Sequence, residues 1–256
     1  MATTQIQTVE DKLRSLRLLT MAEKLSFAIN EDKAKNNGTL WILDYLLAQE
    51  TETRRQRAIL NRYRLSKLFE KSTIDQFNFH FHPSRQKNRS RIMNLMNLEF
   101  LNNHADVIFI GNPGTGKSFM AKTIAYQACI NNISVLFTTA ADMINHLVAS
   151  EADHSLVRKI QFYQKPVLLV CDELGYLPLG RQGSNLFFQV ISSRHGRCST
   201  LITTNLAFSE WGKIFDSSSV AVAVADRLVE NSELVVMEGP SYRRKAKSKS
   251  AEPDIT

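Results

Sequence analysis

The run Gly111-Asn112-Pro113-Gly114-Thr115-Gly116-Lys117-Ser118 has the residue types and spacing of a phosphate-binding loop, G-x-x-x-x-G-K-[ST]. A polyphosphate is best held by several inward-pointing backbone N–H groups. Side chains would obstruct that approach, so the three glycines suit the loop. Lys117 can reach β- and γ-phosphates, and the Ser118 hydroxyl can ligate Mg²⁺. Downstream, the apolar run 167–171 leads into Asp172-Glu173, a strand ending in paired acids. Here Asp172 would hold Mg²⁺, directly or through water, and Glu173 would polarise an attacking water. Asn205 ends a further expected strand, 199–204, where a polar side chain suits ordering that water or sensing the γ-phosphate. The succession of these features argues against a glycine turn with an accidental lysine.

Such groups act together only when regular elements hold them. Residues 106–110 read as a short buried strand. After the loop, Met120, Ala121, Ile124, Ala125 and Ala128 recur at helical spacing. Strand, loop and helix in that order bring the phosphates to a helix N-terminus. Further strands are expected over 133–138 and 234–237, with helical segments around 142–148 and 155–163.

The front of the chain reads differently. One amphipathic helix is expected over 8–31, with Thr8 and Asp11 as a capping box and Leu18, Met21, Ala22, Leu25 and Ile29 as its stripe. Asn36-Asn37-Gly38 breaks it, and Thr39 is expected to cap a longer helix. That helix runs into Arg54, Arg55, Arg57, Arg62, Arg64 and Lys67, with no acid between residues 53 and 69. Uncompensated charge of this kind is either a solvated helix face or, as favoured here, a contact with the phosphates of nucleic acid. Residues 72–84 read as a connector in which His80-Phe81-His82 serves loop packing and not a metal. Arg85, Lys87, Arg89 and Arg91 open a helix expected to run to about 101, either as a second anion contact or as a solvated surface. The domains expected are 1–72 helical, 73–104 connector and helix, 105–242 the phosphate-loop core, and 243–256 a basic disordered tail.

The 256 residues carry a net charge of +7, a weak pointer to nucleic acid by itself. No apolar run reaches the roughly 18 residues of a membrane span, and the N-terminus lacks a secretory signal. Cys129, Cys171 and Cys198 are too few and too scattered for a disulfide framework or a zinc site. These features lead to an expectation of a cytoplasmic protein with reduced thiols and no membrane partner.

The motifs GNPGTGKS, CDELGYLPL, STLITTNLAFSEW, DRL and GPSYR together resemble those of the AAA+ ATPases, specifically the IstB-like transposition helpers of two-gene insertion sequences. The wider clade includes the DnaC-type helicase loaders. The run 172–179 is the most specific, since paired acids alone do not require Gly175, Tyr176, Pro178 or Leu179. The resemblance implies an α/β fold, an AAA+ P-loop core of parallel sheet flanked by helices, with a small N-terminal helical domain. It implies ATP and Mg²⁺ as cofactors, with Asn205 as first sensor and Arg243 as second-sensor arginine. Arg227 would be an arginine finger reaching a neighbour's nucleotide. It further implies ATP-driven homo-oligomers that grip and bend double-stranded DNA and serve a partner transposase. The valine-rich run 217–225 departs from the family pattern. Two rivals are a DnaC-like helicase loader and a small-molecule kinase; the second has no use for the basic run.

Overall fold

Among the described residues, five strands alternate with helices and form one parallel sheet in the order β2-β3-β4-β1-β5. They are β1 (Asp106–Ile110), β2 (Val135–Thr139), β3 (Leu168–Leu174), β4 (Ser199–Thr204) and β5 (Ser232–Val236). The computed structural model describes residues 2–35 and 37–244. The expected tail beyond 244 therefore lies outside the described residues. The chain divides into two compact units, Met1–Asn61 and from Arg62 onward.

Alternation along the strands builds the second unit. In β1, Val107 and Phe109 point to one face and Ile108 to the other, so each side chain meets a separate core. One core receives α7 (Lys117–Ile130) through Met120, Ala121, Ile124, Ala125 and Ala128. The other receives α8 (Ala140–Ala152), α10 (Gly180–Arg194) and α11 (Ser218–Val229). The valine-rich departure is thus an ordinary helix. The Ser217 hydroxyl caps it by accepting the Val220 N–H, and Ala221, Val224 and Leu228 face the core.

The outer edge of β5 is closed by side chains. Arg91 donates to the Leu234 carbonyl at 2.7 Å and Asn88 to the Val236 carbonyl at 2.8 Å, which removes a template for stray pairing. The single helix expected from Arg85 to about 101 is instead three: α4 (Pro83–Lys87), α5 (Arg89–Met96) and α6 (Glu99–Asn102). Leu98, at φ 62°, turns the chain between the last two. His82 caps α4, its Nδ1 accepting the Ser84 N–H.

At the end of α10, Arg194 is 1% exposed. Its guanidinium donates to the carbonyls of Tyr163, Gln164, Pro166 and Ser199 and to the Thr200 hydroxyl. It thereby joins β4 to the last turn of α9 (Leu156–Gln164) and the connection into β3. Arg194→Met would leave these acceptors buried without a donor. The expected cost is about 3–5 kcal/mol, seen as a fall of roughly 10 °C in the thermal midpoint. A fall below about 2 °C would show that the carbonyls find other donors.

In the first unit, α1 (Ala2–Ser15) and α2 (Leu19–Lys35) replace the one helix expected over 8–31. Arg17 adopts a left-handed conformation at φ 59° and turns the chain. Thr8 is consequently not a cap: it lies inside α1 and donates to the Thr4 carbonyl. In α3 (Thr39–Leu65) Thr39 is the first helical residue and not the expected cap: the first turn closes on the Gly38 carbonyl. Met21, Leu25, Ala28 and Leu46 form a small core. Among the described residues no helix is long and apolar enough to cross a membrane.

Candidate nucleotide site and basic helix

The phosphate loop joins β1 to α7, so its backbone lies at the C-terminal edge of the sheet and at a helix N-terminus. Lys117 is 9% exposed and donates to the carbonyls of Gly111 at 2.5 Å and Asn112 at 2.9 Å. Burial lowers its pKa, an effect that Asp172 opposes and Arg243 reinforces. The ammonium is held against the loop's own backbone.

Ser118 and Asp172 meet here: the Ser118 hydroxyl donates to Asp172 Oδ1 at 2.9 Å. Thr203 in β4 donates to the same oxygen and accepts the Glu173 N–H at 3.0 Å. One threonine thus orients both acids. Glu173 takes φ 62° at an irregularity in the β3–β4 pairing between Cys171 and Leu174, and its side chain is exposed while Asp172 is buried. An irregularity of this kind re-aims a side chain. It separates a buried, metal-suited carboxylate from one open to water. The hydroxyl and carboxylate oxygens are hard donors of the type Mg²⁺ takes alongside phosphate oxygens and water. Ser118 and Asp172 fit such an ion, which would draw charge from the transferring phosphoryl group.

β4 lies between β1 and β3, so Asn205, exposed at its end, stands between the phosphate loop and the acid pair. It is one residue from the Leu206 that packs against Gly175 in the turn after Glu173. A cavity of about 260 Å³ opens beside the loop. Gln76, Phe77, Asn78, Phe119, Tyr242 and Arg243 line it together with Gly114, Gly116, Lys117 and Ser118. The Tyr242 N–H donates to the Gly114 carbonyl at 2.9 Å. The Ser241 hydroxyl lies where it would meet a Cβ on residue 114 at 2.1 Å, so only glycine fits under this strap. Arg243 is thereby brought to the cavity.

Arg227 is not. It is half-buried near the end of α11, bonded to the Ala223 carbonyl at 2.9 Å and set 4.6 Å above the Phe188 ring. It does not line the cavity beside the loop.

The basic helix differs from expectation. Glu50, four residues before Arg54, pairs with it at 2.8 Å and accepts the N–H groups of Thr20 and Met21 at the start of α2. Burial would raise the Glu50 pKa, but these hydrogen bonds outweigh it and hold the group below its ordinary value. Arg55 forks onto Glu52 at 2.9 and 3.1 Å. Arg54 and Arg55 are therefore compensated by acids just upstream of the stretch that contains none. Arg62 donates to Asn132, and Lys67 lies 5.3 Å over the Phe162 ring. Arg57 and Arg64 have exposed side chains on α3. Arg85 is neither an anion contact on the surface nor a solvated residue. It is 4% exposed and faces the loop's backbone.

Thr203, Phe77 and Tyr242 were given no role at the site from the sequence. The first is signalled only by a threonine pair before Asn205, the others by aromatic residues spaced around a basic run.

The protein-family profile described as "IstB-like ATP binding protein" matches residues 11–250. The ATP-binding protein of insertion sequence IS5376 from Geobacillus stearothermophilus is 33% identical over 239 residues, 93% of this chain and 94% of that protein. Its counterpart in IS232 from Bacillus thuringiensis subsp. berliner is 30% identical over 243 residues, 93% and 95% of the two chains. Among solved structures, the DnaC helicase loader superposes with a TM-score of 0.56 at 20% identity, over 65% of this chain and 96% of that one. That likeness bears on the fold alone and agrees with an AAA+ core. The chain belongs to the IstB-like ATP-binding protein family.

Proposed function

We propose that this protein is a Mg²⁺-dependent ATPase that binds double-stranded DNA, assembles on it as a homo-oligomer with ATP, and serves a partner transposase in the cytoplasm. The observation that carries the catalytic part is the Ser118–Asp172–Thr203–Glu173 chain beside the loop. It holds one carboxylate for a metal and exposes the other to water. In this reading the loop's N–H groups and Lys117 hold the β- and γ-phosphates, and Glu173 takes the proton of a water attacking the γ-phosphorus. Asn205 orients that water. The released phosphate leaves with the oxygen the water supplied, and ADP remains in the cradle. Arg243 supplies positive charge from the strap. The part played by DNA and transposase draws on the family and on relatives described as insertion-sequence ATP-binding proteins.

On the basic helix, the exposed Arg57 is the leading phosphate contact, followed by Arg64, Arg62, Lys67 and Arg55. Arg55 can exchange an exposed, readily screened partner for a phosphate. Arg54 is held to the fold of the first unit by Glu50. Arg57→Ala is therefore expected to weaken DNA binding evenly across sequences. It should flatten the log–log salt dependence by roughly 0.9 per lost duplex-phosphate contact. Arg54→Ala is expected to act mainly on thermal stability. Titrations at several salt concentrations test this, with DNA-stimulated ATP hydrolysis measured alongside. An unchanged slope for Arg57→Ala together with no stimulation by DNA would remove DNA from the proposal.

A further inference from the structure

Arg85 sits in a basic run, yet its guanidinium is turned inward. Nε and Nη2 both donate to the Thr115 carbonyl, at 3.1 and 2.8 Å, and Nη1 donates to the Asn78 carbonyl at 3.1 Å. The rings of Phe77, Phe81 and Tyr242 surround it, with centroids 4.3, 4.8 and 5.0 Å away. One side chain therefore touches the phosphate loop, the connector before β1 and the strap that carries Arg243.

Thr115 lies between Gly114 and Gly116, whose φ angles are 83° and 109°. Residues without a Cβ permit the intervening peptide planes to rotate at small steric cost. The Thr115–Gly116 peptide is planar and trans, so its C=O and N–H point in opposite directions. Holding the Thr115 carbonyl on Arg85 thus fixes the direction of the Gly116 N–H, the donor just before Lys117. A loop that must present several N–H groups at once gains from having this plane set before ligand arrives.

We infer that Arg85 is a positioning residue for the polyphosphate: it clamps the Thr115 carbonyl, so that the Gly116 N–H is preset for phosphate, and ties the loop to the Arg243 strap through Tyr242. The inference rests on the reading of this loop as a nucleotide site. The planar fork matters here, because a lysine ammonium cannot make the paired contact to one carbonyl while stacking among three rings.

The test compares wild type, Arg85→Lys and Tyr242→Ala in the full chain, measuring affinity for ATP and for adenosine beside the thermal midpoint without ligand. Arg85→Lys is expected to weaken ATP by about 10- to 100-fold, the effect of losing a charge-assisted hydrogen bond. Adenosine, which has no phosphate for Gly116 to meet, should bind as in wild type. Tyr242→Ala should shift ATP affinity in the same direction by about 3- to 10-fold. Unchanged ATP affinity in a folded Arg85→Lys protein overturns the inference, as does an equal loss for ATP and adenosine, which would mark a merely structural residue. If Arg85→Lys does not fold, Tyr242→Ala decides, and unchanged ATP affinity there overturns it too. Failure of the wild type to bind ATP would instead overturn the nucleotide reading itself.

Discussion

Subunits carrying Arg227→Ala are expected to bind ATP nearly as well as unaltered ones and to hydrolyse it about 10³–10⁵-fold more slowly, the range lost with an arginine finger. The placement motivates this. Arg227 lies outside the residues lining the cavity beside the loop, near the end of α11, held by a single bond to a carbonyl of its own helix and by the Phe188 ring. A guanidinium so lightly held can leave that ring for a phosphate presented by a neighbouring subunit. Mixing makes the geometry testable. Lys117→Ala subunits lack a working phosphate loop but keep Arg227, and Arg227→Ala subunits keep the loop. Co-assembled, the two should recover part of the activity that each lacks. A mixture that co-assembles and stays inactive would count against action between subunits.

The second large effect is expected at Glu173. Glu173→Gln keeps the shape of the side chain and removes its ability to accept a proton. Hydrolysis should fall about 10²–10⁴-fold with ATP affinity retained. The backbone supports that separation of effects. The Glu173 N–H is fixed by Thr203, and Asp172 is oriented by the same hydroxyl and by Ser118, so an amide at 173 leaves the metal-suited carboxylate in place. Single-turnover hydrolysis beside equilibrium binding separates the two quantities. Hydrolysis at the wild-type rate would mean that another group activates the water.

Chemistry that demands particular residue types at particular spacing was legible before any coordinates. The phosphate loop, its flanking strand and helix, and the run Ser199–Thr204 ending at Asn205 all lie where the sequence puts them. What escaped depends on which way a side chain turns. Arg17 and Leu98 take left-handed conformations without a glycine or proline to announce them, so two long helices were expected where the chain bends. Arg85 looks like any surface cation in one dimension, since its aromatic neighbours come from residues 77, 81 and 242. Glu50 lies just outside the acid-free stretch, yet one helical turn brings it beside Arg54. Counting charge within a window missed a partner that helix geometry supplies from beyond its edge.

The strand order also sets when, during synthesis, a phosphate-binding loop can exist. β1, which ends at the loop, has as sheet neighbours only β4 and β5: Val107 pairs with Leu201 on one side and Glu233 on the other. β2 and β3 pair with each other and reach β1 only through β4. A nascent chain that has emerged as far as Thr139 therefore contains β1 and all of GNPGTGKS but neither of the strands that flank β1. Contacts of such long sequence separation form late. The loop is therefore expected to be held in place only once β4 and β5 have followed. The strap at Ser241–Tyr242 then closes over Gly114 as the last part of the cradle to be made.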